Sequence, residues 1–244
     1  MSKESTSIPS QTKDLNANTY WNIHEARYTF LQEYLGHHIL TGAAVLDVGC
    51  YPPFLLDWLE KHAMNAFGIA SQHESVSRKQ VKILNIDFDR FPWKDHMFDA
   101  VIFTEVLEHL PFSPMHALVE MHRVLKPGGL LILSTPNTTK LQHRLKLLVG
   151  KSTVFPLEQL LATKPNDNSI YHRHNREYTK QEVETILEKA GFVLQHASYE
   201  IFYPPTRKKV QQESFVMQTV KWLGFIPQVL YPPFRDSLFV VAKA

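Results

Sequence analysis

Cysteine is almost missing: Cys50 is the only one in 244 residues. No internal disulfide is possible, and one thiolate makes no zinc site unless histidines complete it. A reducing compartment, the cytoplasm, is the expected location. A surplus of one charge is missing too. Lys and Arg number 26 against 24 for Asp and Glu, a net +2, which supplies no broad field for nucleic acid. No nucleic-acid partner is expected. No apolar run approaches the length of a membrane span, and the polar first twenty residues lack the apolar stretch of a secretory signal. The chain is expected to be soluble.

What is present is ordinary for a folded chain. Apolar residues make up 44% and charged residues 20%, which excludes a disordered, collagen-like or coiled-coil chain as a whole. The length suits one large domain with additions. The expected organisation is a flexible polar arm over 1–18 and a single domain over 19–244, with helical insertions near 137–170 and 204–235.

Ala26, Phe30, Leu31, Tyr34 and Leu35 recur at helical spacing between Trp21 and Leu40 and predict an amphipathic helix laid on the core. Short apolar runs then alternate with helical stretches. Ala44–Val48, Ala66–Ala70, Val81–Ile86, Phe98–Phe103 and Leu130–Leu133 read as strands. Phe54–His62 and Pro114–Leu125 read as helices, with another after Ser71, and Pro127-Gly128-Gly129 reads as a turn. Thr179 with Glu182 predicts a capping box on a helix that runs to Lys189 and stops at Gly191. Phe192–Ser198 and Leu238–Ala242 supply two last strands. This alternation is an α/β, doubly wound, Rossmann-like sheet with helices on both faces.

Asp47 and Gly49 close the first strand at the place where such sheets bind ligands. Tyr51, Pro52 and Pro53 follow Cys50. Two prolines have no N–H to offer a phosphate, so a pyrophosphate cradle is not expected and an adenosine ligand without phosphate remains compatible. Pro53 suits the first helical position.

Taken together, Val45-Leu46-Asp47-Val48-Gly49-Cys50, Phe98–Phe103 leading into Glu105-Val106-Leu107-Glu108-His109, Arg123–Gly129, and Ser134-Thr135-Pro136-Asn137 resemble the class I S-adenosylmethionine-dependent methyltransferases, in the group that acts on small molecules and glycans. The resemblance implies a seven-stranded, mostly parallel sheet whose last strand runs antiparallel beside the sixth. It also implies S-adenosylmethionine as cofactor. Asp47, Gly49 and Tyr51 would take its methionine end, Asp87 and Phe88 the adenine, and Thr104, Glu105 and Val106 its flank. Tyr20 and Trp21 would fold over its sulfonium. The pattern breaks twice: Tyr51 and Pro53 stand where the family has glycines, and no acid ends the second strand, so Ser71, Gln72 or Glu74 would have to serve the ribose.

A helical turn would place Glu105, Glu108 and His109 on one face, with His109 as the candidate catalytic base. The same face could hold a hard divalent ion, with His172 or His174 adding a ligand, but no metal is assigned. His172, Arg173, His174, Arg176 and Tyr178 resemble the segment with which family members close the acceptor pocket. Basic amphipathic stretches in both insertions suggest peripheral membrane contact or a lid. The expected function is methyl transfer to an oxygen, less readily a nitrogen, of a small molecule or glycan precursor. The alternative is a catalytically silent scaffold of the same fold.

Overall fold

The computed structural model describes residues 17–71, 78–154, 156–162, 168–204 and 215–244. The polar arm up to residue 16, the candidate helix after Ser71 with Gln72 and Glu74, and the cations Arg207, Lys208 and Lys209 lie outside the described residues.

Helix α1 (Ala17–His38) leads into β1 (Ala44–Val48), α2 (Phe54–Lys61), β2 (Asn65–Ala70), β3 (Val81–Ile83) and β4 (Phe98–Thr104). A 3-10 turn (Leu107–His109), α3 (Met115–Val124) and β5 (Leu125–Pro136) follow. The first insertion carries α4 (Leu141–Leu148), α5 (Leu157–Ala162) and a 3-10 turn (Asn168–His172). The chain closes with α6 (Lys180–Lys189), β6 (Val193–Glu200), α7 (Phe215–Leu230), a 3-10 turn (Pro232–Phe234) and β7 (Ser237–Lys243). The seven strands lie in the order β3-β2-β1-β4-β5-β7-β6. The first five are parallel, and β7 inserts antiparallel between β5 and β6.

Alternating side chains divide the core in two. Leu46, Val48, Val101, Phe103, Leu131 and Leu133 face α3 and α6, whereas Val45, Ala100, Ile102 and Ile132 face α1 and α2. Tyr28, Leu31 and Leu35 form the buried stripe of α1 at helical spacing, and Ile39 continues it just past the helix end. Burial of each such leucine stabilises the fold by roughly 2–3 kcal/mol. The capping box at α6 forms as read: Glu182 N donates to Thr179 Oγ1, and the Glu182 carboxylate accepts from Thr179 N.

Three local expectations are corrected. β3 stops at Ile83 rather than Ile86, because the Asn85 side chain accepts from Asp87 N while Asn85 N donates to the Asp89 carboxylate, folding the chain into a turn. Leu125 opens β5 instead of closing α3, and Pro127-Gly128-Gly129, read as a turn, lies within β5, whose pairing with β4 shifts register between Phe98 and Ala100. Pro53 caps α2 from outside; the helix starts at Phe54.

Candidate active site

The carboxyl ends of β1 and β4 meet beneath α1. Asp47, Gly49, Tyr51 and Thr104 from the sheet side line a narrow cavity of about 50 Å³ with Tyr20, Arg27 and Tyr28 of α1 and with Glu105. Gly49 is required here twice over. Its φ is +87°, and a Cβ would lie 2.4 Å from Val106 Cγ2. The amides of Gly49 and Cys50 both donate to the Ile69 carbonyl, at 2.9 and 3.0 Å, so neither is presented to a phosphate. The space holds no whole nucleoside unless the rim moves, and Tyr51, 46% exposed, is the rim residue best placed to do so. A larger open depression, about 500 Å³, lies at the amino end of β2, but its charged lining residues Arg78 and Glu60 pair with each other. No reactive groups converge there.

Arg27 is the residue the sequence reading missed. It is 3% exposed and its Nε has no hydrogen-bond partner among the described residues. Burial works against its charge, but the Glu105 carboxylate, 3.6 Å from Nη1, and the nearby Tyr203, Tyr20 and Tyr28 hydroxyls hold the guanidinium protonated. The available signal was a cation within the apolar stripe of α1. Glu105 itself has φ +55°, a strained conformation outside any helix. Its carboxylate accepts from Ser134 Oγ at 2.8 Å.

The expectation of one helical face is therefore corrected. Glu105 turns toward the cavity, and only Leu107–His109 form a 3-10 turn beyond it. Glu108 is 1% exposed; Oε2 accepts from Thr135 Oγ1 at 3.0 Å, while Oε1 is buried without a partner. Burial, reinforced by Glu105, pushes its carboxyl well above the ordinary range. His109 Nδ1 donates to the Arg173 carbonyl at 3.0 Å, which leaves Nε2 as the lone-pair nitrogen, 3.9 Å from Glu108 Oε1. Burial and the neighbouring His174 push the imidazole down to about 4. His109 is neutral at ordinary pH.

The acceptor-side segment divides. His174 meets His109 edge to face, with ring centroids 4.9 Å apart, and Arg173 supplies the carbonyl that orients His109. His172 ends the adjoining 3-10 turn, exposed to solvent. Arg176 does not reach this group: it pairs with Glu182 at the start of α6. Tyr178 is buried in the core, its backbone bridges to Asn137, and burial raises the pKa of its hydroxyl. Asn175, not singled out from sequence, ties the segment down through Nδ2 to the carbonyls of His109 and Ile170, while its amide donates to the Glu108 carbonyl.

Of the remaining cofactor candidates, Asp87 is buried with neither carboxylate oxygen in a hydrogen bond of ordinary geometry; burial raises its pKa, against the opposing pull of the nearby Tyr171 hydroxyl and His116. Phe88 lies 61% exposed, with its ring against Phe112. Ser71 directly follows β2, half-buried. Val106 packs under Gly49 and does not line the cavity. Trp21 stacks on Tyr28 and meets Phe54 edge-on, a packing role that leaves the cavity to Tyr20. Tyr203, also unforeseen, brings its hydroxyl to 3.1 Å from His24 Nδ1. Its pKa is raised by burial and by Glu105, and Asp236 holds its segment through the amides of Phe202 and Tyr203.

Residues 20–197 match the model of a family described as a methyltransferase domain. The chain belongs to that family, within the class I S-adenosylmethionine-dependent methyltransferases. This methyltransferase-family chain is 25% identical over 221 residues to the mitochondrial ubiquinone biosynthesis O-methyltransferase of Mus musculus, covering 77% of this chain and 56% of that protein. It is 29% identical over 187 residues to the ubiquinone biosynthesis O-methyltransferase of Nitrosococcus oceani, covering 72% and 75%. The chain thus spans little more than half of its mouse relative. In fold, it is similar to an S-adenosylmethionine-dependent methyltransferase from Mesorhizobium loti, with a TM-score of 0.55, 16% identity, and coverage of 90% of this chain and 98% of the other.

The residues present fit the cofactor of this class. A buried guanidinium with an unpartnered Nε, a buried carboxylate with neither oxygen in a hydrogen bond of ordinary geometry, and a glycine turn without free amides suit a zwitterionic, phosphate-free nucleoside better than a nucleotide.

Proposed function

We propose that the chain transfers a methyl group from S-adenosylmethionine to a hydroxyl oxygen of a small molecule. When bound, the cofactor would supply a sulfonium methyl: the acceptor oxygen would form a bond to that carbon as its bond to sulfur breaks, with a neutral thioether as the leaving group. Arg27 binds the cofactor's carboxylate, and Asp47 with the Gly49 turn holds its amino acid end. Asp87 accepts from the adenine amino group. Among the described residues no acid ends β2, and Ser71 stands at the expected ribose position; Gln72 and Glu74 lie outside the described residues. His109 takes the acceptor's hydroxyl proton at Nε2, the nitrogen left free by the bond from Nδ1 to Arg173. Most of the acceleration comes from positioning the two reactants, with proton removal adding roughly 10²–10⁴-fold.

The observation that carries this reading is the placement of a neutral, oriented imidazole one turn beyond the cavity formed by Asp47, Gly49, Arg27 and Glu105. The names of the mouse and Nitrosococcus relatives support an oxygen acceptor, and a phenol is the acceptor class to test first. The test is transfer of an isotope-labelled methyl to a water-soluble catechol. Product with the methyl on oxygen supports the reading; cofactor binding with no transfer to any phenol or alcohol favours the silent scaffold.

A second reading of the same place rests on one observation. Donor atoms of Glu108, His109 and His174 lie within 4.8 Å of one another, and Glu108 Oε1 is unpartnered. These residues would hold a divalent cation, which would supply Lewis-acid activation of the acceptor hydroxyl. Loss of turnover in chelator with recovery on added magnesium or zinc selects the metal; turnover indifferent to chelator selects the imidazole acting alone.

A further inference from the structure

The first insertion is tied down at its start, where Asn137 Nδ2 donates to the carbonyls of Pro233 and Arg235 and Lys140 pairs with Glu177. Within α4, His143 is the one buried residue. Its Nδ1 donates to the Thr138 carbonyl at 3.0 Å and lies 3.5 Å from the Glu177 carboxylate. Beyond that anchor the chain turns its apolar side chains to solvent: Leu147, Leu148, Val149, Val154, Leu157 and Leu161 are all exposed, Leu148 at 81%. Isolated exposed leucines are commonplace; a run of this density over two consecutive helices is an interaction surface.

The second insertion continues it. Trp222, Ile226 and Leu230 of α7 are exposed, and the Pro232–Phe234 turn touches both α4 and α7. Arg144 of α4 lies over the Phe234 ring, with its guanidinium 5.3 Å from the centroid. Two segments far apart in sequence thus meet at this turn, each with exposed apolar side chains. The charge of this surface has one sign on the α4 side: Arg144, Lys146 and Lys151 are exposed among the apolar residues. Among the described residues of 141–162, Glu158 is the only acid. No described helix is long and apolar enough to cross a membrane.

We propose that this face docks on an anionic lipid bilayer, with the leucines and valines among the acyl chains and Arg144, Lys146 and Lys151 at the headgroups. Apolar side chains edged by cations are the chemistry of interfacial binding. A second copy of the chain fits less well, because an isologous contact would bring together two faces that both carry an excess of positive charge. The face adjoins the proposed active site: α4 starts just past the end of β5, and Glu177, which holds His143, also lies 3.2 Å from Nδ1 of His174. Resting on the proposed methyl transfer, the structure assigns the acceptor to an amphiphile whose reactive hydroxyl sits at the bilayer surface.

The test is pelleting of the full chain with sucrose-loaded vesicles, without cofactor, so that it stands apart from catalysis. Vesicles of phosphatidylcholine with phosphatidylglycerol should retain the protein, phosphatidylcholine alone should retain it weakly, and raised salt should release it. Lys146→Glu with Lys151→Glu should weaken retention by at least about tenfold, and Leu148→Glu with Leu161→Glu should abolish it. Both variants should keep the wild-type melting temperature and wild-type turnover of a water-soluble acceptor. Equal, negligible retention on both vesicle types overturns the proposal, as does a concentration-dependent dimer that Leu148→Glu converts to monomer. Retention without any methyl transfer leaves the docking intact and sinks the catalytic reading instead.

Discussion

At the scale of single residues, Arg27 and His109 make opposite demands. Arg27 is a buried cation held charged by Glu105, and its proposed role is to bind a ligand's anion. His109 is a neutral ring oriented by a backbone carbonyl, and its proposed role is proton transfer. Arg27→Lys keeps a charge but loses the planar fork; titration calorimetry should show cofactor affinity reduced about tenfold or more, and an unchanged dissociation constant would remove Arg27 from the site. His109→Ala should lower kcat by about 10²–10⁴-fold with cofactor affinity preserved. Equal losses in affinity and turnover would instead indicate a packing role for the ring. His109 was legible in the sequence, because imidazole next to the end of a sheet strand is a recognisable chemical signal. Arg27 was not, since a lone cation on an apolar helix face looks the same whether it reaches out to solvent or inward to a carboxylate. The strain at Glu105 was hidden as well: nothing in Thr104-Glu105-Val106 shows that the backbone enters the left-handed region there rather than starting a helix.

At the scale of elements, the buried strands were readable as short apolar runs between helical stretches, and the capping box of α6 because both of its side chains are in the sequence. The ends were not. β3 ends early on a side-chain turn at Asn85, and β5 begins early through a glycine bulge, both decided by hydrogen bonds that periodicity does not encode. Two predictions belong here. Gly49→Ala forces a methyl onto Val106 at a positive φ, and thermal or denaturant unfolding should show a loss of about 1–3 kcal/mol along with weakened cofactor binding; a variant as stable as wild type would contradict the close approach. The second concerns the bridge from α3 to the segment before β4. Glu120 accepts from Arg123 at 2.6 and 2.8 Å and from the Phe91 amide at 2.8 Å, and the Arg123 guanidinium holds its carboxyl below the ordinary 4.5. Because the folded pKa is depressed, its stabilisation is full above that ordinary value and is lost as pH falls through the lower folded one. Glu120→Gln should destabilise the protein by about 1.5–3 kcal/mol at neutral pH and flatten the acid side of the melting-temperature profile. An acid limb of unchanged slope would show that other carboxylates control it.

For the whole molecule, the parallel half of the sheet forms the proposed cofactor crevice, and the antiparallel half, with its two insertions, carries the exposed face at α4 and α7. The topology was open to sequence reading through the order of its motifs, whereas the meeting of the two insertions at the Pro232–Phe234 turn depends on distant segments and was not. The account stands on a nucleoside without phosphate occupying the crevice between Asp47 and Arg27. Titration calorimetry of the full chain with S-adenosylmethionine, and with its demethylated product, tests this most directly. The account predicts saturable heat with one ligand per chain, a matching rise in melting temperature, and no competition from NAD. Absence of heat together with an unmoved melting temperature at millimolar ligand would contradict it.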